Sequence, residues 1–432
     1  MEYHKELSLL HKKVNTLRNL PKNKEMYDDI ELYIKCFFKL LNINFPNDLI
    51  KSIINKDYPF EINHLIYSMI DELVILGFYI NQSEVTLIAS DKLILSPFCS
   101  IGKDQAIHNQ RFYVKKLITE RCDILSVNTK FEHFLPMNCS ILKTSMGYLI
   151  NARFVNYELT PEGIYVVKTP IKKIITENVM VKTDKDFNSL SEHIVLDKSN
   201  NVRVCNPNAD GCEDLIIFDY KDKIYFTCTT LDTNPYGRPQ ISLGRFDEEY
   251  NIIEKVPIES PQNRQEKNWL PFIASDGDIN FIYEYYPYTI KCISRRIFIA
   301  YGDNQAREEI RVIDKFSKKY NLNLSRFKGS VAPIPFEDGY LIIVHETFNL
   351  LPTLRCYLHR FIQLDKSMEI VKLSHPWYFE SHGIEFCRSM CYSHDPDKMI
   401  LMYSIHDKVA KWCEISVDYI KSLLKDLDYF NL

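Results

Sequence analysis

Two segments, GCEDLIIFDY at residues 211–220 and EKNWLPF at residues 266–272, decide how the chain is interpreted. In each, charged or amide side chains stand directly before an apolar run of strand character. A strand that begins in this way presents its first polar side chains at the mouth of a sheet, where a ligand can reach them. We therefore expect the chain after about residue 135 to be a β scaffold for a polar site built on residues 210–272.

Five turn-like junctions, each followed by a short apolar run, divide this β region at regular intervals. They are Ser145-Met146-Gly147, Lys221-Asp222-Lys223, Ser275-Asp276-Gly277, Glu337-Asp338-Gly339 and Asp395-Pro396-Asp397. Successive junctions lie 75, 55, 62 and 58 residues apart, counted between their central or final residues. This interval suits a four-stranded blade with long loops. The sequence thus predicts a mostly β protein with a five-bladed β-propeller, and a two-sheet sandwich is the alternative.

The N-terminal part of the chain has a different pattern of apolar residues. Apolar residues recur there at helical spacing, and residues 78–88 resemble two short strands about a polar turn, which together give a winged-helix-like outline. The third helix, residues 62–73, has no Lys or Arg to meet phosphates, so a packing or oligomerisation module is favoured over DNA binding. The predicted organisation is a helical module at 1–95, a connection at 96–135, and a propeller with a C-terminal helix at 136–432.

Composition and charge exclude several classes of protein. The 27 Tyr and 25 Phe against 12 Gly favour a β-rich fold, and the net charge of −4 gives no electropositive footprint for nucleic acid. No run reaches the ~18–20 apolar residues of a membrane span, and no signal core begins the chain, so a cytoplasmic protein is expected. The 12 cysteines are scattered and contain no Cys-x-x-Cys pair, as in proteins with reduced thiols.

Neither a metal nor a cofactor is expected. Four Asp-x-Asp pairs lie in turns or near the final helix, without the Gly-rich phosphate cradle or αβ alternation of a metal-dependent sugar-nucleotide transferase. No Gly-x-Ser-x-Gly element of a serine hydrolase is present. The site must therefore be built from side chains spread along the β region.

Four short motifs occur in a recognisable order. They are Glu213-Asp214 at a strand start, Lys267-Asn268 before an aromatic-Pro strand, GYLIIVH at 339–345 and YSIHD at 403–407. In this order they resemble the pattern of glycoside hydrolase family 130 and the related β-mannosyltransferases and mannoside phosphorylases, over about residues 135–420. That family consists of five-bladed β-propellers that act on mannosides. The resemblance therefore implies the same fold as the turn spacing predicts.

The resemblance also implies roles for five residues. Asp214 corresponds to the catalytic Asp, whose proton is thought to reach the glycosidic oxygen through a hydroxyl of the bound mannose. Lys267 and Asn268 would hold sugar hydroxyls or an anionic leaving group. His345 would bind phosphate or the sugar, and Asp407 would line the sugar subsite.

Three more residues are candidates for substrate binding. Arg153 lies in mid-strand among apolar neighbours, where a charged side chain needs an anionic partner such as a carboxylate or a ligand. Asn156 is expected to accompany it, and Glu213 belongs to the acidic pair. Trp269, by contrast, is expected to fill the core rather than stack on a sugar.

One departure from the family pattern concerns phosphate. The phosphorylase motif continues Glu-Asp-Pro-Arg, but here Ile216 stands at the position of the Arg that helps to hold phosphate. Arg238, Arg264 or Arg295 could replace that charge. Phosphorolysis therefore stays open beside transfer from an activated sugar.

The predicted function is glycosyl transfer or phosphorolysis at a β-mannoside-like linkage with inversion, with a mannoside or activated mannose as substrate and phosphate as a candidate co-substrate. Hydrolysis, with Glu284 or Glu346 as base, is a further option. The alternatives are a noncatalytic propeller that binds glycans or protein, and a DNA-binding regulator with a sugar-sensing propeller. The oligomeric state is open.

Overall fold

The computed structural model describes residues 83–95, 110, 113–160, 164–200, 208–234, 237–260, 264–300, 306–351 and 354–430. The chain divides into two compact units. One, the terminal unit, comprises Met1–Lys115, Asn321–Asn323 and Lys425–Leu432. The other, the β unit, comprises Lys116–Tyr320 and Leu324–Leu424 and holds nearly all of the strands.

The described part of the chain is mostly β. The helices are α1 (Ser83–Leu95), α2 (Val417–Leu423) and α3 (Leu427–Phe430). The strands are β1 (Lys115–Lys116), β2 (Arg121–Ile124), β3 (Leu135–Lys143), β4 (Gly147–Val155), β5 (Tyr157–Leu159), β6 (Tyr165–Val167), β7 (Ile174–Asp184), β8 (Ser189–Ile194), β9 (Ala209–Asp210), β10 (Glu213–Tyr220), β11 (Lys223–Thr230), β12 (Gln240–Phe246), β13 (Ile252–Pro257), β14 (Leu270–Ile273), β15 (Ile279–Tyr285), β16 (Tyr288–Ala300), β17 (Ala306–Lys318), β18 (Lys328–Phe336), β19 (Gly339–Leu351), β20 (Leu354–Leu364), β21 (Ile370–Ser374), β22 (Trp377–Tyr378), β23 (Glu385–Tyr392), β24 (Lys398–Ile405), β25 (Val409–Ser416) and β26 (Leu424–Asp426).

The β unit contains five antiparallel meanders of four strands in succession, of which the first and the fourth belong to larger sheets of five and seven strands. Their orders are β3-β4-β7-β8, β10-β11-β12-β13, β14-β15-β16-β17, β18-β19-β20-β21 and β23-β24-β25-β2. In each meander the first hairpin turns at one of the five junctions that the sequence predicts, so the turn chemistry located all five correctly. The short hairpin β5-β6 is inserted between the second and third strands of the first meander.

The fifth meander is completed by a strand from the beginning of the β unit. Strand β2 pairs antiparallel with β25, with Arg121 opposite Glu414 and Ile124 opposite Lys411. The sequence prediction assigned residues 121–124 to a connection, and the structure shows that they belong to a sheet. Because β2 precedes the first meander, its pairing joins the two ends of the β region.

The first strands of the meanders lie next to one another. Strand β3 contacts both β10 and β23, and β18 contacts both β14 and β23. Polar residues near the start of these strands are therefore brought together from distant parts of the sequence.

Apolar cores lie between consecutive meanders. Phe226 and Leu149 belong to the core between the first two, and Trp412 packs with residues of the first meander in the core that joins it to the fifth. Phe187 stacks on Trp412 with ring centroids 3.9 Å apart. Strand β4 is buried at every position because both of its faces are covered. Each fully buried apolar side chain of this kind contributes roughly 2 kcal/mol.

Helix α1 corrects the second part of the prediction that residues 78–88 form a strand hairpin, since residues 83–88 are helical, whereas residues 78–82 lie outside the described residues. Leu87 and Ile94 are both buried and lie seven residues apart, which is two turns of a helix. A short apolar run does not by itself distinguish the periodicity of a helix from that of a strand. The remainder of the predicted N-terminal helical module, and with it the winged-helix outline, lies outside the described residues.

The C-terminal helix occurs where the sequence predicts it. Ser416 is the N-cap of α2, and its hydroxyl accepts a hydrogen bond from the backbone N–H of Tyr419. Ile420 is buried against the fourth and fifth meanders. The described helices are all too short or too polar to cross a membrane.

Candidate active site

Four of the first strands carry an irregularity near their start. The pairing register shifts in β3, β10, β18 and β23, and the residues at the shifts include Asn138, Asp214, Ser330 and Arg388. A β-bulge bends its strand and re-aims a side chain. In each of these strands, the bulge thus changes the direction of one polar side chain, which no longer follows the regular alternation of side chains between the two faces of the sheet.

Several candidate residues have a left-handed backbone. The φ angle is 43° at Asn138, 52° at Asp214, 64° at Asn268 and 52° at Asp407. Asn and Asp adopt this conformation more readily than other residues with a side chain, at a cost of roughly 1 kcal/mol each. The backbone therefore favours these residue types at the same positions where a polar side chain can meet a ligand.

Asp214 is the centre of the site. Its Oδ1 accepts a hydrogen bond from Arg153 Nη1 at 2.6 Å and another from Asn138 Nδ2 at 2.8 Å. Its backbone carbonyl accepts a hydrogen bond from the Arg388 guanidinium. Arg153 is only 2% exposed, and its anionic partner inside the protein is Asp214.

Glu213 extends the network toward Lys267. The Lys267 ammonium donates to both carboxylate oxygens of Glu213, at 3.0 and 3.1 Å. Arg153 Nη2 lies 3.8 Å from the same carboxylate. Four of the predicted site residues, from three different meanders or their edges, are thus joined in one chain of ion pairs.

The charges around Asp214 keep it ionised. Burial would raise the pKa of its carboxyl, but Arg153, Arg388 and Lys267, together with the hydrogen bond from Asn138, outweigh burial and lower the pKa to about 2. The carboxylate form of Asp214 therefore dominates at neutral pH. In this state it accepts hydrogen bonds, whereas the sequence assigned it the part of proton donor.

Asp407 has the opposite character. It lies in the three-residue turn between β24 and β25, where His406 and Asp407 both have φ of 52°. Burial raises the pKa of its carboxyl to about 7, because the charge of Arg153 only partly offsets burial and the nearby carboxylates of Asp214 and Glu213. Near neutral pH, Asp407 is therefore present in both protonation states.

His345 lies beside this network as an uncharged side chain. It is 4% exposed, and its Nδ1 lies 2.8 Å from the Ser330 hydroxyl. Burial, reinforced by the charges of Lys328 and Arg388, lowers the pKa of His345 well below its usual range. It can exchange hydrogen bonds with a ligand but contributes no positive charge.

Asn156 has a structural role. Its Nδ2 donates to Thr169 Oγ1 and to the carbonyl of Lys173, both at 2.8 Å, and its Oδ1 accepts from the backbone N–H of Ile175 at 2.7 Å. These bonds hold the segment that leads into β7. The amide is fully used by the fold, so we remove Asn156 from the candidate site.

Trp269 and Glu346 are structural as well. Trp269 is 2% exposed and its Nε1 donates to Glu266 at 3.0 Å, which confirms its prediction as a core residue. Glu346 is completely buried and accepts a hydrogen bond from Arg360 Nε at 2.5 Å. A carboxylate held in this way is not available as a base for hydrolysis.

A cleft of about 380 Å³ adjoins the ion-pair network. Lys267 and Asn268 form part of its wall, and Tyr285 lines it on another side. Glu284, the other predicted base, also lines the cleft and accepts a hydrogen bond from Arg264. The cleft gives a ligand access to Lys267, which joins it to the ion-pair network through Glu213.

Arg388 is a site residue that the sequence reasoning missed. It lies in the apolar strand β23, so the argument that singled out Arg153 would also have found it. Ile216, at the position of the family's Arg, is buried at 2% exposure. Of the proposed substitutes, Arg264 is paired in the cleft and Arg295 is exposed on β16, whereas Arg388 contacts Asp214 directly.

Three of the four Asp-x-Asp pairs lie in turns, as expected, and the fourth lies at the final helix. Asp184, Asp276 and Asp395 each accept a hydrogen bond from the backbone N–H two residues later, at 2.9, 3.1 and 3.0 Å. Across the described ranges, no group of three or more His, Cys, Asp or Glu side chains has the arrangement of a metal site.

Comparison with known proteins gives a distant structural likeness. No protein-family model matches the sequence, and no curated protein matches it. Among solved structures, the chain is similar to a β-1,2-mannobiose phosphorylase from Listeria innocua, with 13% identity over 70% of this chain and 96% of that one and a TM-score of 0.46. It is also similar to a mannose phosphorylase from Leishmania mexicana, with 11% identity, 73% and 93% coverage and a TM-score of 0.44.

A third similar structure is a GDP-Man-dependent mannosyltransferase from Leishmania mexicana, with 10% identity, 69% and 91% coverage and a TM-score of 0.43. These three proteins are carbohydrate-active enzymes, of the kinds to which the order of the sequence motifs pointed.

Proposed function

We propose that the five meanders form a five-bladed β-propeller and that the chain catalyses glycosyl transfer or phosphorolysis at a β-mannoside-like linkage, with inversion. Two observations support the propeller: the first strands of four neighbouring pairs of meanders are in contact, and β2 joins the fifth meander to the beginning of the β region. The choice of a mannoside comes from the order of the sequence motifs.

The observation that carries the enzymatic proposal is the convergence of Arg153, Glu213, Asp214 and Lys267 beside a cleft. Glycosyl transfer needs carboxyl groups of different protonation at the scissile bond. Asp214 and Asp407 supply such a difference, since burial and charge move their pKa values in opposite directions.

The balance of charge favours a substrate that carries phosphate. Arg153 is paired with Asp214, and Lys267 is paired with Glu213. Arg388 is 4% exposed and forms no ion pair with a carboxylate among the described residues; its hydrogen bonds go to backbone carbonyls. A buried guanidinium that makes no direct ion pair is costly, even with the Asp214 charge nearby, and an anionic ligand offsets that cost. Arg388 therefore supplies the charge that Ile216 lacks.

This charge favours phosphorolysis, or transfer from a phosphate-activated mannose, over hydrolysis. Both candidate bases for hydrolysis are bound to arginines, Glu346 to Arg360 and Glu284 to Arg264. Neither is free to activate a water molecule.

The test is an activity screen of the purified chain against mannose 1-phosphate, GDP-mannose and β-mannoside oligosaccharides with phosphate. Asp214→Asn is compared with Asp219→Asn, which changes an exposed Asp on the same strand. Product from the wild type and from Asp219→Asn, lost in Asp214→Asn, supports the proposal. Sugar binding without turnover from any donor, equal in all three proteins, refutes it and favours a noncatalytic glycan-binding propeller.

A further inference from the structure

Two cysteines lie opposite each other where β2 pairs with β25. Cys122 is the register partner of Cys413 in this antiparallel pair, and both are free thiols. Strand β2 is the edge strand of its sheet and is exposed at every position, whereas Cys413 is fully buried. One thiol of the pair is thus accessible to a small molecule in solution, and the other lies in the core.

The hydrogen-bond register places the two cysteines close together. The backbone N–H of Leu125 donates to the carbonyl of Ala410 at 2.9 Å, and hydrogen-bonded and non-hydrogen-bonded pairs alternate along an antiparallel ladder. By this alternation, Cys122 and Cys413 form a non-hydrogen-bonded pair, in which the Cα atoms are about 4.5 Å apart. A disulfide needs a Cα separation of about 4.4–6.8 Å. The backbone therefore already has the spacing of a disulfide.

The two side chains also lie on the same face of the sheet. Cys122 Sγ is 2.9 Å from the hydroxyl of Tyr403, which donates a hydrogen bond to Glu380 at 2.7 Å. Tyr403 and Cys413 belong to one apolar core. Because β25 lies between β2 and β24, the contact from Cys122 to Tyr403 passes over the face of β25 that carries Cys413. The Cys122 sulfur is thus directed toward its register partner.

A second cysteine in the same core is too far away to compete. Cys387 belongs to β23, which is separated from β25 by β24. Two strand spacings amount to about 9.5 Å, and cysteines whose Cα atoms are more than about 7 Å apart cannot be joined without backbone movement. Among these described thiols, Cys122 is therefore the one placed to form a disulfide with Cys413.

We propose that Cys122 and Cys413 are a redox-active pair whose reversible disulfide fastens β2 to β25. This strand pair joins the two ends of the β region, so the disulfide would close a loop that contains nearly the whole β unit. The proposal does not depend on the proposed glycosyl transfer. A cross-strand disulfide with one accessible sulfur belongs to the labile kind, which thiols in solution can reduce again.

The oxidant is a small disulfide such as oxidised glutathione. The Cys122 thiolate attacks one of its sulfurs, a mixed disulfide forms, and one glutathione thiolate leaves and takes up the proton that Cys122 lost. The Cys413 sulfur then attacks the Cys122 sulfur, and the second glutathione leaves with the Cys413 proton. The two protein thiols are oxidised by two electrons, and the glutathione disulfide is reduced by two. An excess of reduced glutathione reverses both steps.

The test treats the purified intact chain with oxidised glutathione under native conditions, and then alkylates the remaining thiols and maps the peptides by mass spectrometry. We expect a Cys122–Cys413 crosslink in the wild type and in Cys292→Ser, which removes a partly exposed thiol on β16, but none in Cys122→Ser. Cys413→Ala should keep glutathione on Cys122, because no second thiol displaces it. No reaction of the wild type, a lasting glutathione adduct on it, or a crosslink between other cysteines would overturn the proposal.

Thermal unfolding tests whether the disulfide fastens β2. The oxidised wild type should have a midpoint at least about 3 °C above that of the reduced protein, because the crosslink restricts the unfolded chain. Dithiothreitol should remove the difference, and Cys122→Ser should show none. A crosslinked protein whose midpoint is unchanged or lower would refute the fastening of β2. Both experiments are carried out without a sugar, so loss of the proposed glycosyl transfer would leave their outcome unaffected.

Discussion

Replacing Arg153 with Met removes the guanidinium that neutralises Asp214 while keeping most of the buried side-chain volume. Arg153 is 2% exposed and Asp214 is 16% exposed, so solvent does little to screen their contact at 2.6 Å. The fall in the pKa of Asp214 from 3.8 to about 2 corresponds to about 2.5 kcal/mol in favour of the ionised form. Breaking a buried ion pair typically costs about 3–5 kcal/mol, so we expect a loss of about 3 kcal/mol at pH 7.

The loss should depend on pH in a defined direction. Because the folded pKa of Asp214 is depressed, its ion pair contributes stability above about pH 4, and that contribution is lost as the pH falls toward 2. The difference between the wild type and Arg153→Met should therefore shrink on acidification. A difference that is as large at pH 2.5 as at pH 7 would mean that packing alone is responsible.

The assay is urea unfolding of the wild type, Arg153→Met, Asp214→Asn and the double variant. We expect a coupling energy of about 2 kcal/mol, with the double variant more stable than the sum of the single losses predicts. Arg311→Met is the control, since the Arg311–Glu259 pair is 44% and 37% exposed and should contribute less than about 1 kcal/mol. Additive losses within about 0.5 kcal/mol would refute the assignment of Arg153 and Asp214 as a buried pair.

Two further predictions concern the scaffold. Glu346→Gln should lower the unfolding free energy by about 3 kcal/mol, because it leaves the fully buried Arg360 without its carboxylate. Sugar affinity, measured by calorimetric titration, should be unchanged. Weakened sugar binding by a folded Glu346→Gln protein would mean that Glu346 belongs to the site. Gly147→Ala should lower the thermal midpoint, since an added Cβ would lie 2.1 Å from a backbone carbonyl oxygen of the paired strand; an unchanged midpoint would contradict the close approach of β4 and β7.

The turn chemistry located the meanders because short polar turns are local features. Gly147 and Gly339 begin the second strands of their meanders, and Gly277 lies two residues before such a strand. The sequence around each of them predicts a hairpin from local residues alone. The same reasoning could not find β2. Its partner β25 follows it by almost the whole length of the β unit, and nothing local in residues 121–124 identifies that pairing.

The site was predictable only where a residue conflicts with its local setting. Arg153 is conspicuous because a charge in an apolar strand requires a partner, and the structure supplies Asp214. Arg388 offers the same signal, a charge in an apolar strand, but the sequence reasoning named Arg238, Arg264 and Arg295 instead. The different protonation of Asp214 and Asp407 depends on burial and on charges from several strands, which no sequence spacing records.

The most direct test of the phosphate-bearing substrate is a calorimetric titration of the intact chain with mannose 1-phosphate. Arg388→Gln removes the buried charge that lacks a carboxylate partner, and Arg295→Gln removes an exposed one of the same type. Hydrogen bonds to charged groups contribute about 1.5–3 kcal/mol, so we predict affinity at least about 10-fold weaker for Arg388→Gln and unchanged for Arg295→Gln. Equal affinities in all three proteins, or no binding by the wild type, would contradict the account.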